Sequence, residues 1–177
     1  MYRRRRGYKI VRSKKRYSNE TTTIAFARDF SNAETQPKTG QANTLGYTLV
    51  SAASLQGTRK VKNMTISLSS IGCPVPLICA VIYCPGGIAP SPITVPSASE
   101  AVGASMYEPN QNVIMTFVLN PAKSDTLVNT NVQTFRTRLA RNLDSNDYIA
   151  LIVCPSIPLA ASTNVKVSGT FNYAIAY

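Results

Sequence analysis

Residues 164–177 read NVKVSGTFNYAIAY, and their alternation decides the fold. Val165, Val167, Phe171, Tyr173, Ile175 and Tyr177 share one parity, and Lys166, Ser168, Thr170, Asn172, Ala174 and Ala176 share the other. A period of two with one apolar side predicts a half-buried β-strand whose polar face meets solvent or a ligand. Upstream, the chain reads the same way. Thr, Val, Ile, Tyr and Phe dominate its apolar runs, and Gly, Pro, Asn and Ser divide them. Eight strands are predicted, at about Thr21–Phe30, Leu45–Ala52, Lys60–Ser69, Pro76–Cys84, Asn112–Asn120, Val132–Arg141, Tyr148–Cys154 and Asn164–Tyr177. The sixth also alternates, Phe135, Thr137 and Leu139 against Arg136, Arg138 and Ala140. No long stretch keeps a 3.6-residue period. Eight strands in about 160 residues predict an all-β antiparallel sandwich or barrel.

The fourth and seventh strands depart from this pattern. PLICAVIYC and YIALIVC are apolar on both parities, so both faces must be covered, one by the core and the other by a long loop or a neighbouring subunit. Charge then sorts the strands. Arg28 falls in the first, Lys60 and Lys62 in the third, Arg136, Arg138 and Arg141 in the sixth, and Lys166 in the eighth. The second, fourth, fifth and seventh contain no Lys or Arg. In a single eight-stranded antiparallel jelly roll, strands 1, 8, 3 and 6 make one sheet and strands 2, 7, 4 and 5 the other. The basic residues therefore fall on one of its two four-stranded sheets. Two positions resist this. Lys60 and Lys62 share parity with Met64, Ile66 and Leu68, and Arg28 shares it with Ile24 and Phe26, so each place requires a bulge or a strand end.

Before the strands comes MYRRRRGYKIVRSKKRY, residues 1–17. Nine of its residues are basic: Arg3, Arg4, Arg5, Arg6, Lys9, Arg12, Lys14, Lys15 and Arg16. The chain holds 19 Lys and Arg against 8 Asp and Glu, so most of its net charge of +11 lies in this arm. Such a block repels itself and offers little apolar surface, which predicts disorder until a polyanion binds. Nucleic acid fits best, because each Lys or Arg that neutralises a phosphate releases counterions. Tyr2, Tyr8 and Tyr17 are placed to stack on unpaired bases. A nuclear-import signal, through RRRR or RSKKR, and a membrane-surface or heparin-binding tail are the competing readings. The domains expected are the arm, 1–17, and a shell-like β-domain, 18–177.

Other chemistry is missing. The chain has no His, which removes the usual general base and any Ser-His-Asp or Cys-His pair. Cys73, Cys79, Cys84 and Cys154 show no C-x-x-C spacing and read as buried thiols, so neither a metal nor a cofactor is expected. Asp144 and Asp147, in NLDSND, lack the Gly and distal Glu of a calcium loop and read as a turn-forming cluster. Gly40 and Gly46 have phosphate-loop spacing, but Tyr47 follows where Lys is needed. No apolar run approaches the ~20 residues of a membrane span, and no apolar segment backs the basic N-terminus as in a signal peptide. Residues 85–111 hold five Pro and three Gly, too long for a plain connector. They read either as a surface excursion that carries recognition or as a loop under little constraint. No catalytic constellation is present.

The arm, the eight-strand order and the segment FRTRLARNLDSNDYIALIV together resemble the capsid protein of circovirus-like viruses, which carry circular single-stranded DNA and encode a replication initiator. The likeness spans the whole chain as architecture, without a single diagnostic motif. The chain is shorter than most such proteins and lacks their Trp. The resemblance implies a jelly roll of which sixty copies close a T=1 icosahedral shell. It implies that the arm's nine basic residues face the lumen and package single-stranded DNA, with Arg136, Arg138 and Lys166 as a second, sheet-borne layer. It further implies the host nuclear-import machinery and a surface receptor as partners, and the virion and host nucleus as locations. Sixty arms would supply about 540 positive charges, enough to neutralise a comparable number of phosphates. Two alternatives from the residues stand beside it: the capsid protein of a small satellite-like RNA virus, and a monomeric nucleic-acid-binding β-domain. In the latter, basic and aromatic residues should share a strand face, whereas here the aromatics take the core parity. A jelly-roll lectin or cupin enzyme leaves the arm unexplained and lacks His ligands and Trp.

Overall fold

The strand at 164–176, β9, runs through the middle of its sheet, between β1 (Ser18–Asp29) and β3 (Arg59–Ile71). A computed structural model describes residues 16–29, 45–54, 57–87, 112–121, 131–156 and 164–176. The far side of β3 pairs with β6 (Gln133–Thr137) and with β7 (Arg141–Leu143). The second sheet has the order β2-β8-β4-β5, from Leu45–Val50, Tyr148–Pro155, Leu77–Cys84 and Val113–Leu119. All pairings are antiparallel. This is the jelly-roll partition that the charge sorting predicts, with one difference. The expected sixth strand, Val132–Arg141, is two pieces, β6 and β7, so the described strands number nine.

The break has a local cause. On β3, Met64 pairs with Thr137 and Val61 pairs with Arg141, so Lys62 and Asn63 lie opposite the interruption at Arg138–Ala140. The β3·β9 register shifts between Lys62 and Thr65, and Asn63 takes the left-handed region at φ 53°. This is a β-bulge, which adds a residue and kinks the ladder. It also resolves the parity conflict. Val61, Met64, Ile66 and Leu68 all point into the core, while Lys60 and Lys62 turn to the outer side with Thr65 and Ser67. Opposite the bulge, the Leu139 amide donates to the Thr137 hydroxyl at 3.2 Å, and Leu139 is 53% exposed rather than sharing a half-buried face with Phe135. Arg28, the other poor fit, is the last but one residue of β1.

The core fills the space between the sheets. Ile24, Met64, Ile66, Leu68 and Phe171 from one side meet Leu49, Leu77, Leu119, Ile149 and Leu151 from the other, all fully buried. Both lateral seams are closed by a ring pair and polar links. On one, Phe26 stacks on Tyr47 with centroids 5.8 Å apart, the Tyr47 hydroxyl donates to the Thr23 carbonyl and the Thr22 hydroxyl to the Leu49 carbonyl. On the other, Phe117 stacks on Phe135 at 4.1 Å and the Gln133 amide donates to the Asn120 carbonyl at 2.9 Å. Each ring pair adds ~1 kcal/mol beyond its area. Within the first sheet, β9 approaches β3 closely at Gly169, where a Cβ would lie against the Ser67 carbonyl oxygen. That is the role of a Gly inside a strand.

The second sheet is apolar on its other side too. Ala80, Ile82, Cys84, Ala150 and Ile152 form a separate buried cluster, against which Val113 and Tyr148 pack. The double-sided apolar reading of the fourth and seventh predicted strands is thus seen as two clusters on two faces. Cys73, Cys79 and Cys84 are buried and form no disulfide among the described residues; the Cys154 side chain lies outside the described residues.

One end of the sandwich is tied by Asp147. Its carboxylate accepts from the Tyr83 hydroxyl at 2.5 Å, the Gly86 amide at 2.8 Å and the Asp144 amide at 2.8 Å. The Arg59 guanidinium donates to the carbonyls of Ser51 and Asp147, each at 2.9 Å. Burial raises the Asp147 pKa, but the Tyr83, Gly86 and Asp144 hydrogen bonds and the Arg59 charge outweigh it and hold the carboxyl below its ordinary value. Tyr83 is pushed up to about 12, by burial first and then by donating to that carboxylate. The Asp144–Asp147 turn cluster read from NLDSND is therefore a clasp joining β3 to β4 and β8.

Candidate nucleic-acid interface

The outer face of the β1-β9-β3-β6 sheet is built in rows by register. Thr23, Thr170, Ser67 and Thr134 form one row across the four strands, and Thr21, Asn172, Thr65 and Arg136 the next. Directly paired residues project to the same side of a sheet and interact. Here the Thr21 hydroxyl donates to the Asn172 side-chain oxygen at 2.6 Å, the Ser67 and Thr134 hydroxyls lie 2.9 Å apart, and those of Ser69 and Ser168 3.2 Å apart. The face is thus a carpet of hydroxyls and amides, groups that donate to phosphate and sugar oxygens.

Cations stand on this carpet at its two ends. Lys166 is exposed beside Ala27 and Ile71. At the other end lie Lys60, Lys62 and Arg136. The register separates Lys166 from Arg136 by six residues along β9, ~20 Å at strand rise. The sheet-borne layer expected from Arg136, Arg138 and Lys166 is therefore not a single cluster. Arg136 is on the face, exposed and paired with Thr65. Arg138 is exposed in the β6–β7 connection. No described residue forms an ion pair with Lys60, Lys62 or Arg136, and the described side chains of the face include no carboxylate; Asp29, whose side chain is outside the described set, ends β1 beyond Ala27.

The arm is rooted on the same face. Of its nine basic residues only Arg16 is described, and it is exposed; Arg3, Arg4, Arg5, Arg6, Lys9, Arg12, Lys14 and Lys15 lie outside the described residues, as does the 88–111 part of the long connection. Tyr17 follows, and the Lys62 ammonium sits 3.6 Å from the centroid of its ring. That cation–π contact is worth ~0.5–1 kcal/mol at such a site. It places the root of the arm beside Lys62. Sequence reasoning sorted Lys60 and Lys62 to this sheet without assigning them to the site, because their parity pointed inward. The signal that turns them outward is the single Asn63, a residue type that tolerates positive φ.

No protein-family model matches the chain, and no curated protein matches it. Among solved structures, infectious bursal disease virus, Gt strain, matches with a TM-score of 0.41 at 11% identity, over 97% of this chain and 35% of that one. The full particle of Israeli acute paralysis virus heated to 63 degree matches with a TM-score of 0.37 at 11% identity, over 99% and 85%. Dimeric latent PorU from Porphyromonas gingivalis matches with a TM-score of 0.35 at 8% identity, over 96% and 13%. The chain thus spans about a third of the length of the first of these. Likenesses this weak carry no argument about function, and the jelly-roll assignment rests on strand order and register.

Proposed function

We propose that this protein is the capsid protein of a small virus, a non-enzymatic subunit that assembles into a closed shell and packages a single-stranded genome through its arm. The observation that supports this reading best is the unequal division of chemistry between the two sheets. One carries Lys60, Lys62, Arg136 and Lys166 on a hydroxyl-rich outer face, with the basic arm rooted beside it. The other contains no charged residue in any strand. A subunit with one side toward nucleic acid has this division, and the apolar cluster on its other side, Ala80, Ile82, Cys84, Ala150 and Ile152, is already buried within the single chain. In this reading the shell is T=1 with sixty copies, the genome is single-stranded DNA as the circovirus-like resemblance implies, and the arm doubles as a nuclear-import signal. Phosphate contacts from a Lys/Arg arm make the binding independent of sequence.

The test is the mass of the purified native species by light scattering, with the 260/280 absorbance ratio before and after nuclease. A particle near sixty times 19.2 kDa holding nuclease-protected nucleic acid is expected, and DNase or RNase digestion after opening the shell identifies the genome. A monomer or dimer whose nucleic acid stays open to nuclease overturns the shell and favours a monomeric binding domain.

A further inference from the structure

The patch around Tyr17 has a more specific chemistry than a positive surface. Register places Asn19 on one side of Ala174, and Lys62 and Lys60 on the other side of Ala174 and Ala176 with Asn142 beyond Lys60; Tyr17, the residue before β1, meets Lys62. Ala174 and Ala176 are buried, Tyr17, Lys60 and Lys62 are half-buried, and Arg136 is exposed one row away. The outer side chains of β9 thus shrink to methyl groups at the end of the strand that receives the arm. Long cationic and aromatic side chains from β1 and β3 border that low floor. Lys60 and Lys62, two residues apart on one face, are ~7 Å apart along β3, a spacing that successive phosphates of an extended single strand can match. A duplex offers phosphates but no free base face.

We propose that Tyr17, Lys60, Lys62 and Arg136 form a single-strand binding subsite at the root of the arm, its occupant being single-stranded DNA, which rests on the packaging reading above. An unpaired base stacks on Tyr17. Lys60 and Lys62 hold the phosphates nearest that base, and Arg136, one strand farther across the sheet and one row along, holds the next. The cation–π contact holds the Lys62 ammonium over one face of the ring, so the base stacks on the opposite face and stacking and phosphate binding are brought together before the strand arrives. The basic residues of the arm give strength without preference, and this subsite adds a fixed preference for unpaired strand.

The experiment is fluorescence anisotropy on full-length subunits released from the shell and freed of nucleic acid, with labelled oligo(dT) and a duplex of equal length, across a salt series. Tyr17→Ala should lower oligo(dT) affinity by about tenfold and leave duplex affinity unchanged, because base stacking is lost. Tyr17→Phe keeps the ring and should keep the preference. The double variant Lys60→Ala, Lys62→Ala should flatten the log–log salt slope for oligo(dT) by about 1.4, two phosphate contacts at ~0.7 each. A bromodeoxyuridine-substituted strand should photocrosslink to Tyr17. An unchanged single-strand to duplex ratio in Tyr17→Ala, or crosslinks confined to Tyr2 and Tyr8, overturns the subsite. Either result in particles that still protect nucleic acid leaves the packaging reading standing. A wild-type chain that binds neither probe defeats that reading itself.

Discussion

The two outer faces of this sandwich obey opposite rules although the same fold makes both. On the β1-β9-β3-β6 side, strands alternate apart from the bulge at Asn63, and the outward positions are Ser, Thr, Asn, Lys and Arg with a few Ala. On the β2-β8-β4-β5 side, the outward positions of β4 and β8 include Ala80, Ile82, Cys84, Ala150 and Ile152, which are buried. Solvent or a polar ligand imposes a period of two, and burial on both sides removes it. One face is built for water, the other for apolar contact.

The sharpest way to break that contrast is to place the same charge on each face. Ala150→Asp puts a carboxylate at a site 2% exposed in the outer apolar cluster. It should cost at least ~3 kcal/mol in urea unfolding, because no partner there compensates the buried charge. Ser168→Asp makes the matching change on the exposed polar face and should cost under ~0.5 kcal/mol. It should instead weaken nucleic-acid binding by repelling phosphates. Equal stability losses would mean that the polar face is covered as fully as the apolar one.

A second variant asks what holds the two unlike sheets in place at one end. Asp147→Asn removes the charge that gathers Tyr83, Gly86 and the Asp144 amide. The loss should be about 2 kcal/mol at pH 7, since a buried network is left partly satisfied. The pH dependence carries the sign. The Asp147 pKa is lowered on folding, so its contribution is present above the unfolded value of about 3.9 and is lost as pH falls through the folded one. Between pH 7 and 5 wild-type stability should not change on account of this group, and below about pH 4 the wild type should lose more than Asp147→Asn. Parallel acid limbs would remove Asp147 from the clasp.

Much of this architecture is legible in the chain itself. The alternation of Val165 to Tyr177 announces β9, and the sorting of Lys and Arg among eight predicted strands assigns them to sheets as the structure pairs them. Both signals survive without tertiary information because each is a property of one strand. What could not be read depends on two strands at once. Gly169 signals a close approach only once β3 brings the Ser67 carbonyl oxygen against it. The break between β6 and β7 follows from a bulge in β3, some 70 residues earlier. The Tyr17–Lys62 contact joins residues that only the β1-β9-β3 order brings together. The candidate site was half legible for the same reason: Arg136 and Lys166 have outward parity in their own strands, whereas Lys60 and Lys62 owe theirs to Asn63.

Asn63 therefore offers the smallest and most specific test of the contrast between faces. Its φ of 53° suits Gly and is tolerated by Asn, and a β-branched side chain there is strained by ~1–2 kcal/mol. Asn63→Gly should leave thermal stability within a few tenths of a kcal/mol and keep nucleic-acid affinity, because the bulge persists. Asn63→Val should lower stability by about 1 kcal/mol. The two variants differ in what they do to the lysines rather than in any charge, since position 63 itself is exposed and neutral. If Asn63→Val also weakens oligonucleotide binding while Asn63→Gly does not, the bulge is what presents Lys60 and Lys62. If both variants bind as the wild type does, the outward turn of these lysines is insensitive to the backbone at Asn63, and the polar face owes its cations to something other than that one residue.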